Sequence, residues 1–158
     1  MAKQKKTLTT TLIVLLLFVI AVQFIPKAER NDSARGAKAI TKQYDVPEKV
    51  QSILQKACFD CHSNRTEYPW YSNIQPFAKF MEGHILRGKD ELNFDEFGSY
   101  AIKKQYNKLR SLENQLENEA MPLRSYTLIH HNARLSNEEI SLLTNWSKAL
   151  RNKMDIKL

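Results

Sequence analysis

Two hydrophobic patterns divide the chain. From Leu8 to Ile25 the residues are largely apolar, most densely over Leu12–Val22. After Asp45 the apolar residues instead recur three and four positions apart among polar ones, the spacing of helices with one buried face. The first block is apolar on every face of a helix, which a core helix rarely is. It is about 18 residues long, close to the roughly 20 a spanning helix needs. Lys3, Lys5 and Lys6 precede it, and no small-x-small cleavage site follows directly. The pattern predicts a retained anchor with its lysines in the cytoplasm. Residues 1–26 are read as basic start and transmembrane anchor, 27–44 as a polar linker, and 45–158 as the folded domain.

Within the domain the periodicity predicts four helices. Asp45 and Glu48 form a capping-box pair with Pro47 in the first turn. Val46, Val50, Ile53, Leu54 and Ala57 then lead straight into Cys58. An aromatic loop follows over 63–72. A second helix starts near Asn73, with Phe77, Phe80, Met81, His84 and Ile85 on one face and Gly88 as its stop. A third covers Ala101 to Glu119, with Ile102, Tyr106, Leu109, Leu112 and Leu116 buried. Pro122 breaks it. The last begins at Ser136, boxed with Glu139, and carries Ile140, Leu143, Trp146 and Leu150. No run reads as a strand, so the predicted class is all-α.

Charge changes this picture little. The chain carries +7, and Lys3, Lys5, Lys6, Lys27 and Arg30 against Glu29 place +4 of it in the first thirty residues. The remaining +3 is too mild for a nucleic-acid footprint, so nucleic acid is not an expected partner. Two cysteines cannot build a disulfide scaffold.

Those two cysteines stand in Cys58-Phe59-Asp60-Cys61-His62, a C-x-x-C-H sequence. Thiols one helical turn apart can add to the two vinyl groups on one edge of a haem, and the next residue, His62, then lies under the iron. An exported location suits covalent haem. A bare disulfide or redox pair and a zinc site compete with this reading. The redox pair would need a strand before Cys58, and zinc would need a second ligand pair; His130 and His131, being adjacent, make an unusual one. For a sixth iron ligand the candidates are Met121, in a loop stiffened by Pro122, then Met81, His84, His130 and His131; an open site is the remaining option. The rings of 68–71 and 77–80 are candidates either to line a haem or to serve as ordinary core.

With these residues in hand, the chain resembles small monohaem cytochromes c. The shared features are the helix into Cys58–His62, the later Met121-Pro122 and the final capped helix. It resembles more closely the bacterial haem-binding-domain family of membrane-anchored c-type haem proteins. The stretches that carry this are 22–26 (VQFIP), 58–76 (CFDCHSNRTEYPWYSNIQP), 84–97 (HILRGKDELNFDEF), 121–130 (MPLRSYTLIH) and the final helix. The resemblance implies a cytochrome c-like helical domain around one covalently bound haem c, held by Cys58, Cys61 and His62 with Met121 as the expected distal ligand. In that fold the first and last helices cross and pack. It further implies haem binding in the periplasm, and the leading reading is a single-pass inner-membrane protein that passes single electrons to redox protein partners. Peroxidase chemistry, gas binding at an open iron, and an accessory role in a respiratory complex are the alternatives. The resemblance assigns no reaction.

Overall fold

The computed structural model describes residues 2–27 and 29–155. It is mostly helical: α1 (Ala2–Val22), α2 (Ile40–Gln43), α3 (Glu48–Ala57), α4 (Phe59–His62), α5 (Phe77–Glu91), α6 (Ile102–Glu117), α7 (Arg124–Thr127) and α8 (Asn137–Asp155). Among the described residues there is no strand. A single antiparallel bridge joins Asp32 to Arg65.

The residues sort into two compact units. One comprises the chain through Arg30 together with Tyr68–His84; the other comprises Asn31–Glu67 and everything from Ile85 onward. In the first unit, α1 contains a 19-residue stretch, Gln4–Val22, long and apolar enough to cross a membrane, and none of it is buried.

The second unit holds the core. Phe59, Phe94, Phe97, Leu54, Leu109, Leu116 and Leu143 are fully enclosed in it. Its most extensive helix contact is between α6 and α8. At that seam Glu113 is buried and takes a forked pair of bonds from Arg151 (Nε 3.1 Å, Nη2 3.0 Å) and another from the Ser147 hydroxyl (2.9 Å). Tyr106 completes the seam by accepting from Arg151 at 2.7 Å. A buried carboxylate is tolerated only when paired and hydrogen-bonded in this way. The first domain helix, α3, also meets α8.

Several local expectations are met and several are corrected. Ser136 and Glu139 form the expected reciprocal box at the start of α8, with Ser136 N–H to Glu139 Oε2 at 2.9 Å and Glu139 N–H to Ser136 Oγ at 3.2 Å. Asp45 and Glu48 form no such box. Pro47 takes the cap position without a side-chain bond, and the Asp45 carbonyl accepts from the Trp146 indole at 3.2 Å. The helix does lead straight into the motif: it ends at Ala57, Cys58 caps it with its N–H on the Leu54 carbonyl at 2.9 Å, and a fresh turn, α4, begins at Phe59. The second predicted helix starts at Phe77 rather than Asn73, because Trp70–Asn73 forms a separate 3-10 turn. Gly88 does not end it, and α5 continues to Glu91. In α6 Ile102 is exposed, against the expected buried face, and Phe77 and Phe80 of α5, candidates for core or for lining a haem, are exposed as well.

The stretch read as linker, 27–44, contributes to the core over its second half. Ile40 is buried there, and its N–H bonds the Phe94 carbonyl at 2.8 Å. Lone apolar residues among polar ones carry no period, so nothing in the pattern marks such a strap.

Candidate functional site

The C-x-x-C-H sequence occupies one turn. Cys58 precedes α4, and Cys61 and His62 close it, with the His62 and Cys61 N–H groups bonded back to the Cys58 carbonyl at 2.9 and 3.2 Å. Both cysteines are half-buried and unpaired. Burial, reinforced by the mutual repulsion of neighbouring thiolates, pushes Cys58 up to about 12. Burial and the nearby Asp60 carboxylate push Cys61 to about 11. At neutral pH both are therefore thiols, not activated nucleophiles of the redox-pair kind.

His62 is held from the segment that follows α5. Its Nδ1 lies 2.9 Å from the Leu92 carbonyl, which can only accept, so Nδ1 carries the proton. Its own carbonyl accepts the Phe94 N–H at 2.8 Å, and the Phe94 ring meets the imidazole edge-on. Burial lowers the His62 pKa, against the carbonyls of Leu92 and Gly88 and the Glu91 carboxylate, which raise it. The neutral ring so produced keeps its lone pair on Nε2. That is the state a metal-ligating histidine requires, and the carbonyl at Nδ1 fixes its tautomer.

Gly88 is part of the same hold. A Cβ at this position would meet the Cys61 carbonyl oxygen at 2.5 Å and its carbonyl carbon at 3.1 Å. The glycine thus lets α5 run directly against the cysteine turn. From sequence it reads as a helix stop, because a glycine needed for close approach and one needed for termination look the same.

The loop leaving His62 is strapped down from both sides. Asn31 Nδ2 donates to the Ser63 carbonyl and to Thr66 Oγ1, each at 2.9 Å, and Ser33 N–H bonds the Asn64 carbonyl at 2.8 Å. Arg35 lies over the Phe59 ring at 4.2 Å and pairs with the buried Asp95 at 3.5 Å. Asp95 in turn accepts the Asn64 N–H at 2.9 Å.

Asp60, between the two cysteines, is a hub that sequence reasoning missed. One carboxylate oxygen accepts the Glu67 N–H at 3.0 Å, the other accepts the Tyr126 hydroxyl at 2.6 Å, and its carbonyl accepts the Thr66 hydroxyl at 2.6 Å. Tyr126 sits on α7, five residues after Met121, so the methionine segment is tied to the cysteine turn. Met121 itself is half-buried. It follows α6 through a Schellman-type ending with Glu119 at φ 52° and the Ala120 N–H on the Gln115 carbonyl at 2.9 Å. Of the other candidates, His130 stacks on Tyr126 with centroids 4.3 Å apart, and His131 is exposed. Met81 and His84 lie on the first half of α5, in the other unit.

The donor set suits haem: two thiols and a neutral, carbonyl-oriented imidazole in one turn. Among the described residues no cluster of three or more histidines, cysteines or carboxylates offers an alternative metal cage. A family model described as haem-binding domain matches residues 17–149, most of the chain. The chain belongs to the haem-binding domain family. No curated protein and no solved structure matches it. The match begins within α1 and ends within α8, so the strap, the cysteine turn and the methionine segment all lie inside the haem-binding domain.

Proposed function

We propose that this member of the family is a membrane-anchored c-type haem protein that passes single electrons on the periplasmic side of the inner membrane. Cys58 and Cys61 would hold one haem through thioether bonds, His62 would give the proximal nitrogen, and Met121 the distal sulfur. The haem, when bound, supplies the one-electron couple. The chain's own part is to hold the imidazole neutral and in one orientation, through Leu92 and Phe94, and to keep water from the turn with Phe59 and Phe94. The observation that carries this reading is the His62 Nδ1 bond to the Leu92 carbonyl within a C-x-x-C-H turn. A half-buried ligand ring clamped on both its backbone and its Nδ1 has little to rearrange when the iron changes charge. A methionine opposite it would raise the potential relative to a second histidine. A tether keeps the domain at high effective concentration near membrane redox partners.

The test is the visible spectrum of the haem-loaded full chain, oxidised and reduced, with and without carbon monoxide. Electron transfer predicts sharp low-spin bands and no carbon monoxide binding in the native chain. Met121→Ala then becomes high-spin and binds the gas. A native chain that binds carbon monoxide at once contradicts the closed-site reading and favours peroxidase or gas-binding chemistry.

A further inference from the structure

The first unit contains a patch of exposed aromatic and aliphatic side chains. Trp70 is 77% exposed, Phe80 58% and Phe77 51%, and Ile74 lies exposed between them. The rings form a chain: Trp70 meets Tyr71 edge-on at 6.0 Å, and Tyr71 meets Phe77 at 6.3 Å. Contiguous exposed aromatics of this size mark a surface that meets something apolar.

What it meets follows from where it is tied. Gln23 is the first residue beyond α1. Its side chain donates to the Gln75 carbonyl at 3.1 Å and accepts the Gln75 N–H at 3.0 Å. The Gln75 side chain reaches the Ile25 carbonyl at 3.2 Å. Lys27 Nζ donates to the Asn73 carbonyl at 2.5 Å, and Arg30 donates to Asn73 Oδ1 at 3.1 Å while lying over the Tyr68 ring. The backbone at 73–75 is therefore one side chain away from the end of the membrane-length helix. Nineteen helical residues span about 28 Å, close to the roughly 30 Å of a bilayer's hydrocarbon core. The headgroup layer beyond it is only about 5–7 Å deep on each side. A segment tied at that end falls within the layer where tryptophan and other aromatic rings are favoured and where lysine and arginine meet lipid phosphates.

We infer that residues 70–80 form an interfacial collar, with Trp70, Phe77 and Phe80 inserted among the lipid headgroups of the leaflet that α1 reaches with its C-terminal end. The inference rests on the anchor reading of α1. The lipid surface is favoured over a protein partner because the patch continues directly from the end of the membrane helix, and Lys27 and Arg30 of the same unit supply its cations, Lys79 being paired with Glu82 at 2.9 Å.

The test is photolabelling of the full haem-loaded chain in phosphatidylcholine vesicles doped with a lipid bearing a diazirine near the headgroup, with the adducts mapped by mass spectrometry. The collar predicts label on α1 and on the peptide containing Trp70–Phe80, and none on the peptide containing Phe94. The triple variant Trp70→Ser, Phe77→Ser, Phe80→Ser loses the collar label several-fold and keeps that on α1. Label on α1 alone overturns the collar and leaves the anchor standing; if the triple variant also alters the visible spectrum, the rings belong to the haem pocket. A chain that takes up no label and does not float with the vesicles overturns the anchor reading, and the collar with it.

Discussion

The seven phenylalanines divide cleanly between the two units. Phe18, Phe24, Phe77 and Phe80 all belong to the unit of α1 and residues 68–84, and each is more than half exposed. Phe59, Phe94 and Phe97 all belong to the other unit, and each is fully buried. Composition cannot separate these rings; their surroundings do. In the second unit Phe59, Phe94, Phe97 and Trp146 are enclosed by the core. In the first, rings and branched aliphatics face outward along a whole helix and its tied loop. Water alone would penalise that arrangement at about 25 cal/mol per Å² of apolar surface, and lipid would not. On the proposed anchor reading, the difference is that of one chain adapted to two solvents.

The sharpest way to break this comparison is to truncate one ring on each side. Phe94→Ala removes a buried side chain that also meets Phe59 and His62, and should cost about 3–5 kcal/mol. Phe80→Ala should cost less than about 0.5 kcal/mol, as exposed substitutions do. Denaturant unfolding of the two variants, followed by helical signal, measures both. Equal losses would mean that the exposed rings are core after all.

A smaller effect tests the packing of α5 on the cysteine turn. Alanine is favoured over glycine inside a helix by about 1 kcal/mol, so propensity alone predicts that Gly88→Ala stabilises. The Cβ would instead meet the Cys61 backbone, and such overpacking costs about 1–3 kcal/mol. The expected outcome is a lower melting temperature and less haem retained. Gly36→Ala, where an added Cβ meets nothing, serves as the control.

The smallest effect concerns the start of α8. Lys56 Nζ lies 2.6 Å from Glu139 Oε1, joining α3 to α8. That bond, with the Ser136 N–H, holds the Glu139 carboxyl below its ordinary 4.5. A depressed carboxyl stabilises the fold fully above its unfolded value and loses that contribution as pH falls through the folded one. The pair is partly solvated, so its worth is below about 1 kcal/mol. Urea midpoints should therefore drop below pH 4.5 slightly less in Lys56→Ala than in the native chain, and the two should run parallel at higher pH.

How much of this was legible depended on whether the signal was local. The α8 box, the C-x-x-C-H turn and the buried faces of α3 and α8 are written in short stretches whose residues act on one another, and they read correctly. The α6 stripe reads correctly except at Ile102, its first residue. Apart from the missing Asp45–Glu48 box and the separate 3-10 turn at Trp70–Asn73, the failures are non-local. Gly88 is a glycine because of Cys61, twenty-seven positions earlier. Asn31, Ser33 and Arg35 look like linker because their partners, Ser63, Asn64 and Asp95, are far along the chain. Phe77 and Phe80 repeat at helical spacing, which predicts one apolar face but says nothing about whether protein, haem or lipid covers it. At the candidate site, Cys58, Cys61 and His62 are proposed from spacing alone. Leu92 is not, because it acts through a backbone carbonyl that any residue could provide.

The central claim is that the Cys58–His62 turn holds haem covalently. It is tested most directly by expressing the full chain in a host with c-type haem maturation, denaturing it in acid, and measuring its intact mass and its haem absorbance together. The account predicts a chain heavier by one haem, with the absorbance retained through denaturation, and an unmodified chain for Cys58→Ser with Cys61→Ser. A native chain of unmodified mass, from cells that mature a control c-type cytochrome normally, would contradict it.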